Sequence, residues 1–224
     1  MWIITGANGS IGNNLVSFFL SNKERILAIT STPAQLYKYL DSNNTNYNDD
    51  SLNVFQDDYK KNLYNKELNL ILEKNKIKGL IISSGEYFNG SFLSTKYESY
   101  IDNYRSNFES CVRYISQLTP YLSRNSNIVV VNSIASKIPQ KTEGPYAISK
   151  KSISVFIDSI ADELKEKQIY ITDLVSGGVK SSITKNRSNY DKLIDPEELA
   201  SQIYEITKRK KTLTIRRIEL TRSK

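Results

Sequence analysis

Histidine is absent from the 224 residues, and cysteine occurs once, at position 111. Without imidazole the chain lacks the commonest metal ligand and the side chain that most often moves protons near neutral pH. Any acid–base catalyst must therefore be Tyr, Lys, Asp or Glu. A lone cysteine excludes an intramolecular disulfide and suits a reducing compartment. No window approaches the roughly 20 apolar residues of a membrane span, and no basic segment precedes the first apolar run as in a secretory leader. These absences point to a cytoplasmic protein with no membrane partner.

What is present bounds the fold. A chain of this length with 39% hydrophobic residues can bury one respectable core, so residues 1–224 read as one domain. The net charge of +7, with basic clusters at Lys208-Arg209-Lys210-Lys211 and Arg216-Arg217, raises the question of a nucleic-acid partner. Basic residues are spread through every segment and no nucleic-acid motif accompanies them, which favours a solvated surface.

Apolar runs of strand length recur at Trp2 to Ile4, Ile26 to Ile29, Leu52 to Phe55, Leu80 to Ile82, Ile128 to Val131, Ile169 to Leu174 and Leu213 to Ile218, with helical patterns between them. Seven strands alternating with helices predict an α/β fold, a doubly wound parallel seven-stranded sheet with helices on both faces. Thr32-Pro33 and Asp195-Pro196 read as helix starts, each a capping residue before a proline, and Glu198 is placed to complete a capping box with Asp195. The Asn- and Asp-rich stretch from Asp41 to Asp50 reads as a flexible surface loop. Residues 181–193, polar and basic, follow the sixth strand, and ligands of such sheets bind at the strands' carboxyl ends, so this stretch is expected to act as a lid.

Directly after the first strand comes Thr5-Gly6-Ala7-Asn8-Gly9-Ser10-Ile11-Gly12, followed by an amphipathic segment. Glycines there permit positive φ and let a pyrophosphate approach main-chain N–H groups, while the helix behind adds partial positive charge. A dinucleotide is the expected guest. The second constellation is Tyr146-Ala147-Ile148-Ser149-Lys150. Four residues apart on a helix, Lys150 sits on the face of Tyr146. A phenol of pKa about 10 is barely ionised at neutral pH, and a nearby cation favours the phenolate. Tyrosine thereby becomes usable as an acid or base. The same spacing also arises in ordinary helices of a chain with 15 tyrosines.

In combination these landmarks resemble the short-chain dehydrogenase/reductase family over nearly the whole chain. Asn107, in Ser106-Asn107-Phe108, stands where the family's helix asparagine sits, and Ser133 lies thirteen residues before Tyr146 at the family's catalytic-serine position. The resemblance implies a Rossmann fold and hydride transfer between a nicotinamide ring and a carbonyl or alcohol carbon of a small molecule. In that reading Tyr146 exchanges the proton with the reacting oxygen and Ser133 hydrogen-bonds it. Lys150 holds the nicotinamide ribose and tunes Tyr146, and Asn107 orders a water that links Lys150 to solvent. The resemblance also implies a homodimer or homotetramer, with Phe108, Val112, Ile153, Phe156 and Ile160 on the faces that would meet a symmetry mate.

The pattern departs from the family in places. The glycines fall as TGxxGxxG, with Ser10 where single-domain members usually carry glycine. The fourth-strand motif reads Ile82-Ser83-Ser84-Gly85, which replaces or loses an asparagine hydrogen bond. After the sixth strand Ser176-Gly177-Gly178-Val179-Lys180-Ser181 stands for the usual proline-glycine motif, with Val179 beside the nicotinamide amide and Ser181 in place of a threonine. The end of the second strand offers Thr30, Ser31 and Thr32, with no carboxylate to repel a phosphate, so NADP is favoured and NAD is the alternative. Asp58, or Asp57, resembles the acidic residue that contacts adenine; the other reading of Asp58 is a helix cap before Tyr59. Lys180, Lys185, Arg187 and Lys192 suggest an anionic substrate, or else a solvated loop, and Glu86, Tyr87 and Phe88 are placed to line the cleft. A second functional class, a nucleotide-sensing or scaffold protein without turnover, would be expected to have lost Tyr146 or Lys150, and this chain has both.

Overall fold

The computed structural model describes residues 1–58, 65–209 and 213–222. The strands are β1 (Trp2–Thr5), β2 (Ile26–Thr30), β3 (Leu52–Gln56), β4 (Ile77–Ile82), β5 (Leu122–Ser133), β6 (Ile169–Ser176) and β7 (Arg217–Leu220). They form one sheet in the order β3-β2-β1-β4-β5-β6-β7, every pair parallel. Between them run α1 (Ser10–Ser21), α2 (Pro33–Ser42), α3 (Lys66–Lys74), α4 (Tyr97–Tyr104), α5 (Ser110–Leu118), α6 (Gly144–Glu166) and α7 (Pro196–Lys208). This is the doubly wound arrangement that the alternating pattern predicts.

The strands are apolar without interruption because both faces are covered, and the alternation of side chains divides them between two cores. Ile3, Leu27, Ile29, Leu80, Ile82, Ile128 and Val130 face α3, α5 and α6, where they meet Leu72, Ile115 and Ile157. Trp2, Ile4, Ala28, Ile81, Val129 and Val131 face α1, α2 and α7. On that side Phe19 of α1 stands edge-on to Trp2 at 5.5 Å and to Tyr204 of α7 at 4.9 Å, fixing both helices under β1. Cys111 lies in the first core at 1% exposure, and burial pushes its thiol pKa up to about 12.

Chain order reverses between β1 and β4, which opens a crevice at the carboxyl ends of those strands. The chain enters it through a tight turn. Gly6 has φ +68°, and a Cβ on it would stand 2.6 Å from the Ser84 backbone at the end of β4. On Gly12 a Cβ would collide with the Gly6 carbonyl oxygen and lie 2.8 Å from Ala7 Cα, so this glycine lets α1 close onto β1.

Several boundaries differ from expectation. The seventh strand is Arg217–Leu220, shifted along from the apolar run at Leu213, which is 76% exposed. Its register is set by polar groups. Arg217 pairs opposite Asp173 and donates to its carboxylate at 3.0 Å, while Thr172 Oγ1 donates to Ile215 O at 2.7 Å. Thr32 precedes α2 but makes no side-chain cap bond, and the Asp195 carboxylate accepts from Glu197 N at 3.1 Å. In the loop after α2, Asn48 and Ser51 exchange hydrogen bonds and Tyr47 donates to Asp41. Lys210 and Lys211 of the basic cluster, and Tyr59, lie outside the described residues.

The turn makes unequal demands on its glycines. Gly12→Ala is expected to lower unfolding free energy by about 1–3 kcal/mol, the usual cost of overpacking. Gly9→Ala, whose Cβ would meet only the Gly6 oxygen at 3.3 Å, is expected to cost less. Urea denaturation of the two variants checks this, and equal losses would contradict the packing argument.

Candidate active site

Two clefts meet at the crevice, of about 550 Å³ and 830 Å³, sharing Gly9, Ser83, Ser84, Gly85 and Glu86 in their walls. At their junction α1 begins with Gly9 as its cap residue, no side-chain cap bond and no acidic residue in its first turn. Its first N–H groups and its positive dipole end are therefore available to an anionic ligand. Ser10, Ile11 and Gly12 line the first cleft, and Gly6 and Asn8 line the second. Serines replace the missing asparagine of the fourth-strand motif. Ser83 Oγ donates to Thr5 O at 2.7 Å and Ser84 Oγ meets Thr5 Oγ1 at 3.0 Å, tying β4 to β1.

The first cleft gathers Asn107, Ser133, Tyr146 and Lys150. Tyr146 is half-buried. Lys150, one helical turn on, is only 5% exposed; its Nζ donates to Val131 O at 3.3 Å and lies 5.6 Å from the centre of the Tyr146 ring. Ser133 ends β5 and its hydroxyl accepts from Ala135 N at 3.2 Å. Asn107 lies in a π-turn, Arg105–Glu109, between α4 and α5. Its amide donates to Glu86 O and Asn103 O, both at 2.9 Å, and accepts from Glu86 N at 3.2 Å. The side chain thus clamps the Gly85–Glu86 turn beside Lys150.

Beneath these groups lies a network that the sequence reading missed. Asp173 on β6 is fully buried, and its carboxylate accepts from Asn132 Nδ2 at 2.9 Å, Ser154 Oγ at 2.7 Å and Arg217 Nε at 3.0 Å. Asn132 also donates to Lys150 O at 3.2 Å, and its oxygen accepts from Ser133 N at 2.9 Å. One amide therefore fixes the serine backbone and the lysine backbone together. The only signal available in the sequence was an acidic residue inside an apolar strand.

Gly177, Gly178, Val179, Ser181, Ile183, Thr184, Arg187 and Asn189 form the outer wall. The stretch 181–193 is built from turns. Thr184 Oγ1 accepts from Ser181 N at 2.8 Å and donates to Val179 O at 2.9 Å, while Val179 forms a bridge with Ile194. Of the four cations read as a possible anion site, Lys180 lies 3.6 Å from Asp195, and Lys185 and Lys192 are exposed away from the cleft lining. Arg187 alone among them lines the cleft. Its Nη2 is 3.9 Å from Glu143 Oε1, and its guanidinium sits 5.1 Å from the centre of the Tyr87 ring. Tyr87 donates to Glu143 Oε1 at 2.7 Å and stands edge-on to Tyr146 at 5.2 Å. Burial and the Glu143 carboxylate push the Tyr87 hydroxyl up to about 12. Glu143, 8% exposed, went unread, although it precedes Tyr146 by three positions and so shares its side of the helix start. Glu86 and Tyr87 line the cleft; Phe88 is not among its lining residues.

The second cleft is lined by Asn8, Thr30, Ser31, Gln56, Asp57 and Asp58, among others. Thr30 is 2% exposed and donates to Asn8 Oδ1 at 2.7 Å. Asp57 is occupied within the protein, accepting from Arg113 Nη1 at 3.2 Å and from Tyr114 Oη at 2.5 Å. Exposed Asp58 lines the same end. On the far side of α6, Ile148 and Val155 are exposed and Phe108 and Phe156 are half-buried beside them. Ile153, expected on that outer face, is turned into the core at 1% exposure, because its neighbours across the helix take the solvent side.

Comparison with known proteins agrees with this geometry. The family model described as short chain dehydrogenase matches residues 1–192. A Dictyostelium discoideum protein named dehydrogenase/reductase SDR family protein 7-like is 29% identical over 181 residues, 75% of this chain and 56% of that protein. Human dehydrogenase/reductase SDR family member 2, mitochondrial, is 31% identical over 97 residues, 43% of this chain and 35% of that protein. The matches thus span about a third to just over half of the curated relatives' length. The crystal structure of BdcA in complex with NADPH superposes with a TM-score of 0.81 at 13% identity, covering 97% of this chain and 92% of that one. No helix among the described residues is long and apolar enough to cross a membrane.

Two outcomes follow from the buried groups. Asp173→Ala strands the Asn132 and Ser154 donors and is expected to cost on the order of 3 kcal/mol of stability in denaturant titration. Tyr87 is raised from 10.0 to about 12, so it contributes stability that is complete below pH 10 and is lost as pH rises towards 12. The difference in melting temperature between wild type and Tyr87→Phe should therefore shrink over that window; a constant difference would contradict the raised pKa of the buried hydroxyl.

Proposed function

Starting from a chain that belongs to the short-chain dehydrogenase/reductase family, we propose that it is an NAD(P)-dependent oxidoreductase acting on the carbonyl or alcohol carbon of a small molecule. The observation that carries this reading is the convergence of Tyr146, Lys150 and Ser133 on a cleft that continues to the uncapped start of α1. The residues fit a dinucleotide. Gly9 is the cap of that helix, and a Cβ on it would meet only one protein atom within 4 Å, so its open side lies toward the clefts rather than toward packing. A bound nicotinamide cofactor supplies the hydride.

The chain's own residues do the rest. Ser133 Oγ donates a hydrogen bond to the reacting oxygen and aligns it with the Tyr146 hydroxyl. Tyr146 gives its proton to that oxygen in reduction and takes it back in oxidation. The Lys150 ammonium, held by Val131 O, places a positive charge 5.6 Å from the centre of the Tyr146 ring. Lys150 and Tyr146 would also hold the ribose of a bound cofactor, Val179 and Ser181 the nicotinamide amide, and Gly6 to Gly12 the pyrophosphate. Asn107, by clamping Gly85 and Glu86, keeps Lys150 open to the cleft and to the water that relays its proton.

NADP is the preferred cofactor in this reading. The end of β2 carries Thr30 and Ser31 in place of a carboxylate, with Asp58 elsewhere in the same cleft, and one structural neighbour was solved with NADPH. Asp58 would meet the adenine of a bound cofactor. A homodimer or homotetramer would cover Ile148, Val155 and Phe156 on α6, with Phe108 beside them.

Tyr146→Phe is expected to lower turnover on a carbonyl panel by about 10²–10⁴-fold, the range for a lost general acid, while NADPH still binds. Nicotinamide absorbance follows the first and fluorescence titration the second. Tight NADPH binding without turnover on any carbonyl would favour the sensing class instead, and clear selectivity for NADH would overturn the cofactor assignment.

A further inference from the structure

We infer that Glu143, Tyr87 and Arg187 form the recognition end of the cleft, and that they select an uncharged substrate with a hydroxyl on the carbon next to the reacting one. The inference rests on the oxidoreductase reading of Tyr146 and extends it to substrate class.

Glu143 is a carboxylate only 8% exposed, yet it lines the cleft. Its place is fixed from two sides. Ala147 N donates to its carbonyl at 2.8 Å as α6 begins, and the Tyr87 hydroxyl donates to Oε1 at 2.7 Å. Tyr87 in turn packs edge-on against Tyr146 at 5.2 Å, so a single ring separates the acceptor from the proton donor. On the oxidoreductase reading, a substrate whose reacting oxygen meets Tyr146 would place the group on its neighbouring carbon along the wall formed by Tyr87 and Glu143. Across from Glu143 stands Arg187, stacked on Tyr87, its Nη2 3.9 Å from Oε1 and so beyond hydrogen-bonding distance. A hydroxyl between them can donate to the carboxylate and accept from the guanidinium at once. A simple ketone can do neither.

Charge argues against an anion here. Glu86 and Glu143 line the cleft with Arg187 and Lys150, and the loop's other cations do not. A carboxylate or phosphate entering this end would meet Glu143, and the cation beside it, Arg187, already faces that carboxylate. The remaining polar side chains of the wall, including Gln140, Asn189 and Ser133, are neutral and suited to hydroxyls.

The matched trio hydroxyacetone, acetone and pyruvate differs only in the group beside the carbonyl. With NADPH, hydroxyacetone is expected to exceed both others in kcat/KM by about 10²-fold or more, as when a site built for a hydroxyl meets an analogue lacking it. Glu143→Leu, which removes the acceptor, should collapse the hydroxyacetone-to-acetone ratio towards unity. Pyruvate matching or exceeding hydroxyacetone would overturn the inference, as would a ratio unchanged in Glu143→Leu. Binding is read independently of turnover by saturation-transfer NMR on the NADP⁺ complex with propylene glycol, isopropanol and lactate. Preference for propylene glycol supports the inference even where no ketone is reduced, in which case only the oxidoreductase reading fails. Equal or absent binding of the three overturns it.

Discussion

The carboxamide of Asn132 is the constraint on which the cleft depends. It is a single planar group with two donors and one acceptor, and each is committed: towards Asp173, towards the Lys150 carbonyl and towards the Ser133 amide. Because the group is 2% exposed, no water can substitute for a lost partner cheaply. The serine at the end of a strand and the lysine inside a helix are thereby held as one rigid unit, and β7 is recruited to the same unit through Arg217. A buried charge that contributes little net stability can still specify one arrangement among several.

The fold was readable because its signals are redundant. Short β-branched apolar runs such as Ile128 to Val131 read as strands covered on both faces, and the spacing between runs leaves room for helices. Tyr146, Lys150, Ser133 and Asn107 were readable for a different reason: their spacings are dictated by one helix turn and by one strand end. The seventh strand was misplaced because its position follows from Arg217 facing Asp173, a contact between residues 44 positions apart, whereas Leu213 carries the local apolar signal. The same holds for Asn132 and Glu143. Each is an ordinary polar residue until the fold brings its partners, and only Glu143 had a local hint in its spacing from Tyr146.

The basic loop shows how a charge count misleads when geometry is ignored. Four cations between positions 180 and 192 suggest a field that attracts anions, yet they point in different directions. Lys180 faces Asp195, Lys185 and Lys192 face solvent, and Arg187 faces a carboxylate. Exposed charges contribute little beyond a Debye length, about 8 Å in physiological salt. The local balance at the cleft wall is therefore set by Arg187 and Lys150 against Glu86 and Glu143, and not by the net charge of the chain.

Cys111 carries a consequence of its own. Buried on the core side of α5, with its thiol held protonated by burial, it offers no thiolate to electrophiles or peroxide. With no other sulfhydryl in the chain, alkylating reagents and mild oxidants have no handle on the native protein. A cysteine introduced on the surface would be the sole reactive one, which makes the native background ready for site-specific labelling.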